Sequence, residues 1–171
     1  MRVLILGLAV SVAFLGGCLP EFVPASQLGD EPQVLAIRAS APEVAPGMQV
    51  TFDALVHWPA GAPDYLWLVC VPAPGDTIDT CVQRRIEEGE WPLSACGSAS
   101  AASLCWASRD ATAVYSVPDL GLEPDAVQTL FVEVLVGGDA EGAACWTALS
   151  ELQPSSDCIV GLKRLHVSSA A

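Results

Sequence analysis

Apolar residues along the chain fall into short runs separated by Pro, Gly and acidic residues, and the runs alternate with a period of two. The cleanest lies between residues 48 and 56. Met48, Val50, Phe52, Ala54 and Val56 share one face, and Gln49, Thr51 and Asp53 the other, as in a strand with one side on a core. Residues 34–39 read as a first strand. Pro46-Gly47 suits a type II turn, because Pro pre-sets the first central φ and Gly accepts a positive second one. Residues 65–71 are apolar on both faces, as a central strand is. Residues 113–117 form a strand that stops at Pro118. Residues 129–136 are the strongest β segment and close at Gly137-Gly138. Residues 159–167 give the last strand, with Leu165 and Val167 inward and Arg164 and His166 outward.

Three stretches break the rhythm. Residues 58–63, Trp-Pro-Ala-Gly-Ala-Pro, cannot pair as a central strand and read as a loop. Residues 72–109 hold four cysteines, Pro72, Pro74 and Pro92, the small-residue run 98–103 and two tryptophans. This is a disulfide-rich insertion, with a short strand at 82–86 inside it. Trp146, Leu149 and Leu152 recur at helical spacing, so one short helix is expected at 143–152. Six or seven strands with turns between them predict an all-β antiparallel sandwich, with a small barrel as the alternative. Phe52 and Trp67 should then meet across the two sheets.

The N-terminus has a different pattern. Arg2 precedes an apolar run broken only by Gly7 and Ser11, and then comes Leu15-Gly16-Gly17-Cys18. This is the three-part order of an export signal. It resembles the lipobox of bacterial lipoproteins. The resemblance implies that residues 1–17 are a signal peptide, that the Cys18 thiol receives diacylglycerol, and that the new amine is acylated after cleavage. The competing reading, a membrane-spanning helix, needs roughly 20 apolar residues, and this run ends sooner, at glycines and then Pro20. A three-chain anchor makes release from the membrane negligible, since each buried methylene contributes ~0.8 kcal/mol. An Asp after the cysteine often means inner-membrane retention in Gram-negative lipoproteins, so Leu19 points to the outer membrane. Residues 18–32, with Pro20, Pro24 and Pro32, form a lipidated tether; the alternative is an edge strand begun at Phe22-Val23. Residues 33–171 are one β-sandwich domain, with the insertion at 72–109.

Composition narrows the partners. Loss of 17 of 171 residues leaves 154, enough for one domain with a real core. With Arg2 gone, 6 basic side chains face 20 acidic ones, a formal charge of −14. That charge favours solubility and disfavours nucleic acid and anionic lipid headgroups as partners, so no nucleic-acid partner is expected. The acids are scattered, with Glu87, Glu88 and Glu90 the one tight group.

Besides Cys18 there are six cysteines, an even number in an exported chain, so disulfides are expected. Six allow fifteen connectivities. Sequence proximity suggests Cys70 with Cys81, Cys96 with Cys105 and Cys145 with Cys158, each closing a loop worth about 2–3 kcal/mol. The competing metal reading lacks a CxxC knuckle, and neither His57 nor His166 has ligand spacing to a cysteine.

The order of first strand, Pro46-Gly47, alternating strand and Trp67 resembles an immunoglobulin-like or PKD-like domain. The segments VLAIRASAPEVAPGMQVTFDALV and GLKRLHVS, with the lipobox and a Trp-Cys strand, resemble lipoproteins of myxobacteria and their relatives that have no established activity. One departure stands out. Antibody-type domains bridge their second and sixth strands, and neither counterpart here has a cysteine, so the core must hold by apolar packing with bridges confined to loops.

No stretch reads as an active site. No GxSxG elbow accompanies His57 or His166. Asp76 with Asp79, and Asp139 with Glu141, are weak calcium candidates without the oxygen ladder of EF-type loops. Gly137-Gly138 has no following Lys to hold phosphate. No cofactor is implied. Trp91 and Trp106 are candidate binding residues, since exposed tryptophans mark sugar or protein sites; the bland reading is that they cover neighbouring disulfides. The expected function is therefore a non-enzymatic lipid-anchored envelope protein that is structural or binds protein. A carbohydrate-binding or adhesive module is the alternative.

Overall fold

The computed structural model describes residues 29–91, 93–97, 103–138, 143–151 and 158–170. Cys18 and the lipobox lie outside them, as do residues 19–28 of the tether and the calcium candidates Asp139 and Glu141.

The protein is mostly β, in two sheets. In chain order come β1 (Gln33–Ala39), β2 (Glu43–Val44), β3 (Gln49–His57), β4 (Asp64–Cys70), α1 (Cys81–Glu87), β5 (Ser94–Ala95), β6 (Leu104–Ser108), β7 (Thr112–Ser116), β8 (Val127–Gly137), α2 (Ala143–Glu151) and β9 (Cys158–Ser168). A three-stranded sheet has the order β1-β3-β7, and a six-stranded sheet the order β2-β9-β8-β4-β6-β5. Pairing is antiparallel except at the two ends of the large sheet, where β2 runs parallel to β9 and β5 parallel to β6. Those two-residue pairings were not legible in the sequence.

The sheets meet face to face. Val50, Phe52, Ala113 and Tyr115 from the small sheet interleave with Trp67, Val69, Leu130, Val132, Val134, Val136, Leu165 and Val167 from the large one. The alternation on β3 is the expected one, except that Met48 falls before the strand and is exposed. The Ala45–Met48 turn closes with Met48 N–H on Ala45 O at 3.2 Å, and Gly47 takes φ 81°. On β1, Val34 and Ile37 both pack on the core although they are three positions apart. A straight strand cannot point both inward; the register shift between Val34 and Ala36 allows it and turns Leu35 outward. Both side chains then press on β9 at Gly161. A Cβ there would come within 2.6 Å of Val34 Cγ1 and 3.0 Å of Ile37 Cδ1.

Three expectations need correction. Residues 82–86 are helical, within α1. In a strand, Val82, Arg84 and Ile86 would share one face. A helix puts Val82 and Ile86 together at i, i+4 and swings Arg84 away, so that apolar side chains can be buried without the guanidinium. Second, the insertion contributes β5 and β6 to the large sheet. Third, the bridges are not confined to loops: Cys70, Cys105 and Cys158 lie in strands, and Cys81 and Cys145 in helices.

Candidate functional site

β4 is apolar on both faces because the large sheet has two buried sides. Trp67 and Val69 face the sandwich core. Leu66, Leu68 and Cys70 face outward into a second apolar cluster with Val82, Ile86, Leu93, Leu104, Phe131, Leu135 and Cys145. The outer face is thus divided. One half is covered by the insertion and α1; α2 packs against β8 and β9.

The covering layer is organised on Asp76, whose side chain is fully buried. Its Oδ2 accepts the Ala73 N–H at 2.6 Å, and Arg84 Nη1 stands 2.5 Å from Oδ1. That second contact is an ion pair by distance, without the angle of a hydrogen bond. Arg85 Nη2 lies 3.9 Å from Oδ2 and donates to Val71 O at 3.1 Å, while Nη1 holds Glu88 at 2.8 Å. One carboxylate therefore ties the start of the insertion to the last turn of α1, where cations also suit the helix dipole. Glu90 anchors the return by accepting the Leu104 N–H at 2.9 Å.

Beside α2, the rest of the outer face of β8 and β9 is exposed among the described residues. Here β8 and β9 run in unbroken register, and Glu133 sits between Leu68 on β4 and Leu162 on β9. Phe131 and Leu135 flank it along its own strand. Val160 and Leu162 are 49% and 41% exposed, which makes an apolar strip beside the carboxyl. Glu133 has no hydrogen-bond or ion-pair partner among the described residues. Although the residue as a whole is only half-buried, desolvation of the carboxyl pushes its pKa up to about 7. Arg164, opposite Phe131 and exposed, is the nearest cation by register.

The outer face of the small sheet carries a polar network beside the exposed Leu55 and Val114. Arg38 donates to Asp53 at 2.9 Å, and Thr112 donates to the same carboxylate at 2.9 Å. The Arg38 bond, then the Thr112 bond, holds Asp53 below its ordinary pKa.

The residues singled out in the sequence are distributed as follows. The sulfurs pair as Cys70–Cys81, Cys96–Cys105 and Cys145–Cys158. His57 Nε2 is 2.9 Å from Gly29 O, and His166 Nδ1 is 3.2 Å from Thr129 Oγ1; the two stand on different sheets and share no site. Asp76 is engaged by arginines, so its pairing with Asp79 for calcium fails. Among the described residues no His, Cys, Asp and Glu group is placed to hold a metal ion. Trp91 and Trp106 both pack on the second cluster as partly buried covers, and Arg109 lies over the Trp106 ring at 5.7 Å. Trp58 packs on the sandwich core and lies against Gly138, where a Cβ would come 2.7 Å from its ring.

Glu133 and the β9 strip were not singled out in the sequence. A signal was present: Glu133 is the one charged residue between 130 and 136, in a run otherwise of Leu, Phe and Val. An acid embedded in a doubly buried strand is costly unless one side of it opens to solvent or to a partner. No family model, no curated protein and no solved structure matches this chain.

Proposed function

We propose that this chain is a non-enzymatic binding protein of the cell envelope, lipid-anchored to the outer membrane through Cys18 and carrying an immunoglobulin-like sandwich. The observation that carries the extracytoplasmic part is the set of three disulfides, a feature of oxidising compartments. The immunoglobulin-like reading draws support from strand order. β1, β3 and β7 correspond to strands A, B and E of one sheet, and β4, β8 and β9 to C, F and G of the other. β6 beside β4 occupies the place of C′. The usual bridge between B and F is missing, and the stacked Phe52 and Trp67 rings fill the centre instead. The open strip on β8 and β9 supports a role in binding protein. The sugar-binding alternative has less behind it, because Trp91 and Trp106 are drawn into the second cluster.

The test is detergent phase partitioning of the mature protein with mass spectrometry of its N-terminus. The expected result is a triacylated Cys18 in the detergent phase, and for Cys18→Ser an uncleaved precursor without diacylglycerol. An unmodified N-terminus from cleavage elsewhere overturns the anchor.

A further inference from the structure

The outer face of the small sheet is apolar at two places with a polar band between them. Register orders it in rows. His57 stands opposite Gln33, then Leu55 opposite Ala36, then Asp53 between Arg38 and Thr112, then Thr51 opposite Val114, then Gln49 opposite Ser116. Leu55 and Val114 are 61% and 54% exposed, and Leu35, turned out by the bulge beside Ala36, is 42% exposed. The Arg38–Asp53–Thr112 network fills the row between. The chain enters on this same face. His57 shares its side of β3 with Leu55 and Asp53, because Phe52, Ala54 and Val56 face the core. Its ring Nε2–H donates to Gly29 O at 2.9 Å. The chain is therefore held one row from Leu55 at the point where residues 19–28 join it.

We propose that residues 19–28 lie back across this face as an extended segment, from His57 toward Gln49, and cover Leu55 and Val114. The sequence Leu-Pro-Glu-Phe-Val-Pro-Ala-Ser-Gln-Leu matches the rows. Leu28 adjoins Gly29 and so falls beside Leu55. Phe22 is seven positions from Gly29, a reach of roughly 23 Å, and the Val114 row is roughly 20 Å from His57. Phe22 therefore arrives at Val114 with little slack. Leu28 and Phe22 are six positions apart, so on an extended chain they point to the same side. Ser26 and Pro24, on that side too, pass over the polar band. The segment's one charged residue, Glu21, lies beyond Asp53, next to Gln49 and Ser116, so the two acids do not meet. The join at Gly29 also argues for this occupant. It brings the segment to every copy of the face, without the association entropy that a separate partner loses. Through the lipid, the docking sets an orientation. Cys18, four positions beyond Phe22, comes to the end of the sandwich that carries Pro46, Gly47 and the exposed Met48, and that end faces the membrane. The orientation rests on the anchor proposed above; the docking does not.

The measurement is hydrogen exchange of the mature protein in detergent, read by mass spectrometry. Amides of residues 22, 23 and 25–28 should exchange more slowly than in the same segment as a free peptide. Leu55→Thr with Val114→Thr removes the apolar contacts and keeps β-branched residues suited to exposed strand positions. Protection of 22–28 should then fall about tenfold, or about 1.4 kcal/mol, with β4 and β8 unchanged. Val160→Thr, on the other sheet, should leave it as it was. Phe22→Cys with Val114→Cys should form a disulfide on oxidation, found by non-reducing peptide mapping, and Phe22→Cys with Val160→Cys should not. Three results overturn the proposal: free-peptide rates at 22–28, protection that survives Leu55→Thr with Val114→Thr, or a Phe22→Cys cross-link that forms as readily to Val160→Cys as to Val114→Cys. The second of these would put the segment in the detergent and not on the sheet. The N-terminal mass of the same sample decides the anchor separately.

Discussion

Phe52 on β3 stacks on Trp67 on β4 across the two sheets, with ring centroids 6.0 Å apart and planes 26° from parallel. Both side chains are fully buried. The indole N–H of Trp67 donates to Asp110 O at 2.9 Å, so the ring's one polar atom is satisfied at the border of the core. The pair holds the centre of the sandwich, where many antibody-type domains place a disulfide.

Phe52→Ala or Trp67→Ala should therefore lower the melting temperature of the whole domain with all disulfides intact. Truncation of a buried aromatic costs about 3–5 kcal/mol, a large share of a domain's roughly 5–15. Thermal melts followed by near- and far-ultraviolet circular dichroism should move together. Silence in both variants would mean that the sandwich core is not the seat of stability.

The three bridges should differ in reactivity. Cys70, Cys81 and Cys145 are fully buried, whereas Cys96 and Cys105 are both partly exposed. Mild reduction followed by alkylation should label Cys96 and Cys105 first, with the β spectrum intact. Cys96→Ala with Cys105→Ala should cost less stability than Cys70→Ala with Cys81→Ala, which adds cavities in the second cluster to a loop-closure loss of about 3 kcal/mol. Simultaneous labelling of all six would contradict this ranking.

Asp76→Ala should unlock the insertion. It leaves Arg85 without its buried partner and the Ala73 N–H without an acceptor. Loss of one member of a buried ion pair costs about 3–5 kcal/mol; Arg84, at 39% side-chain exposure, recovers water and brings the expectation to the lower end. Faster hydrogen exchange in 73–90, with β3 and β8 still protected, is the expected signature. Asp76→Asn should sit between the two, because it can keep the Ala73 bond.

Glu133 should make stability depend on pH. In the folded protein it keeps its proton up to about pH 7, against an ordinary value of 4.5. Between those values the folded state binds more protons than the unfolded one, so stability falls as pH rises through the window and levels off above it. The loss is at most on the order of 3 kcal/mol. Asp53, held low by Arg38 and Thr112, acts in the opposite sense, and only in acid. Glu133→Gln should flatten the decline between pH 5 and 7.5; an unchanged slope would assign it to other groups.

The sequence by itself determined β1, β3, β4, β7, β8 and β9 and which of their faces are buried. Period-two alternation on β3, the doubly apolar β4 and the long β8 follow from side chains that must alternate across a pleat, a constraint local enough to read from neighbours. Sequence proximity likewise led to the three disulfide pairs, because each closes a loop of 9 to 13 residues. The helix over Ala143–Glu151 was legible for the same local reason. What only the tertiary structure decided is which faces meet. Residues 82–86 fit a strand as well as a helix until the second apolar face of β4 requires Val82 and Ile86 together and Asp76 draws Arg84 aside. Trp91 and Trp106 become covers because that face needed covering. Glu133 gained its character from Leu68 and Leu162, which lie 65 and 29 positions away in sequence and reach it only through register. Among the described residues β2 pairs with only two of the eleven positions of β9, a mismatch that shows only once the strands are placed side by side.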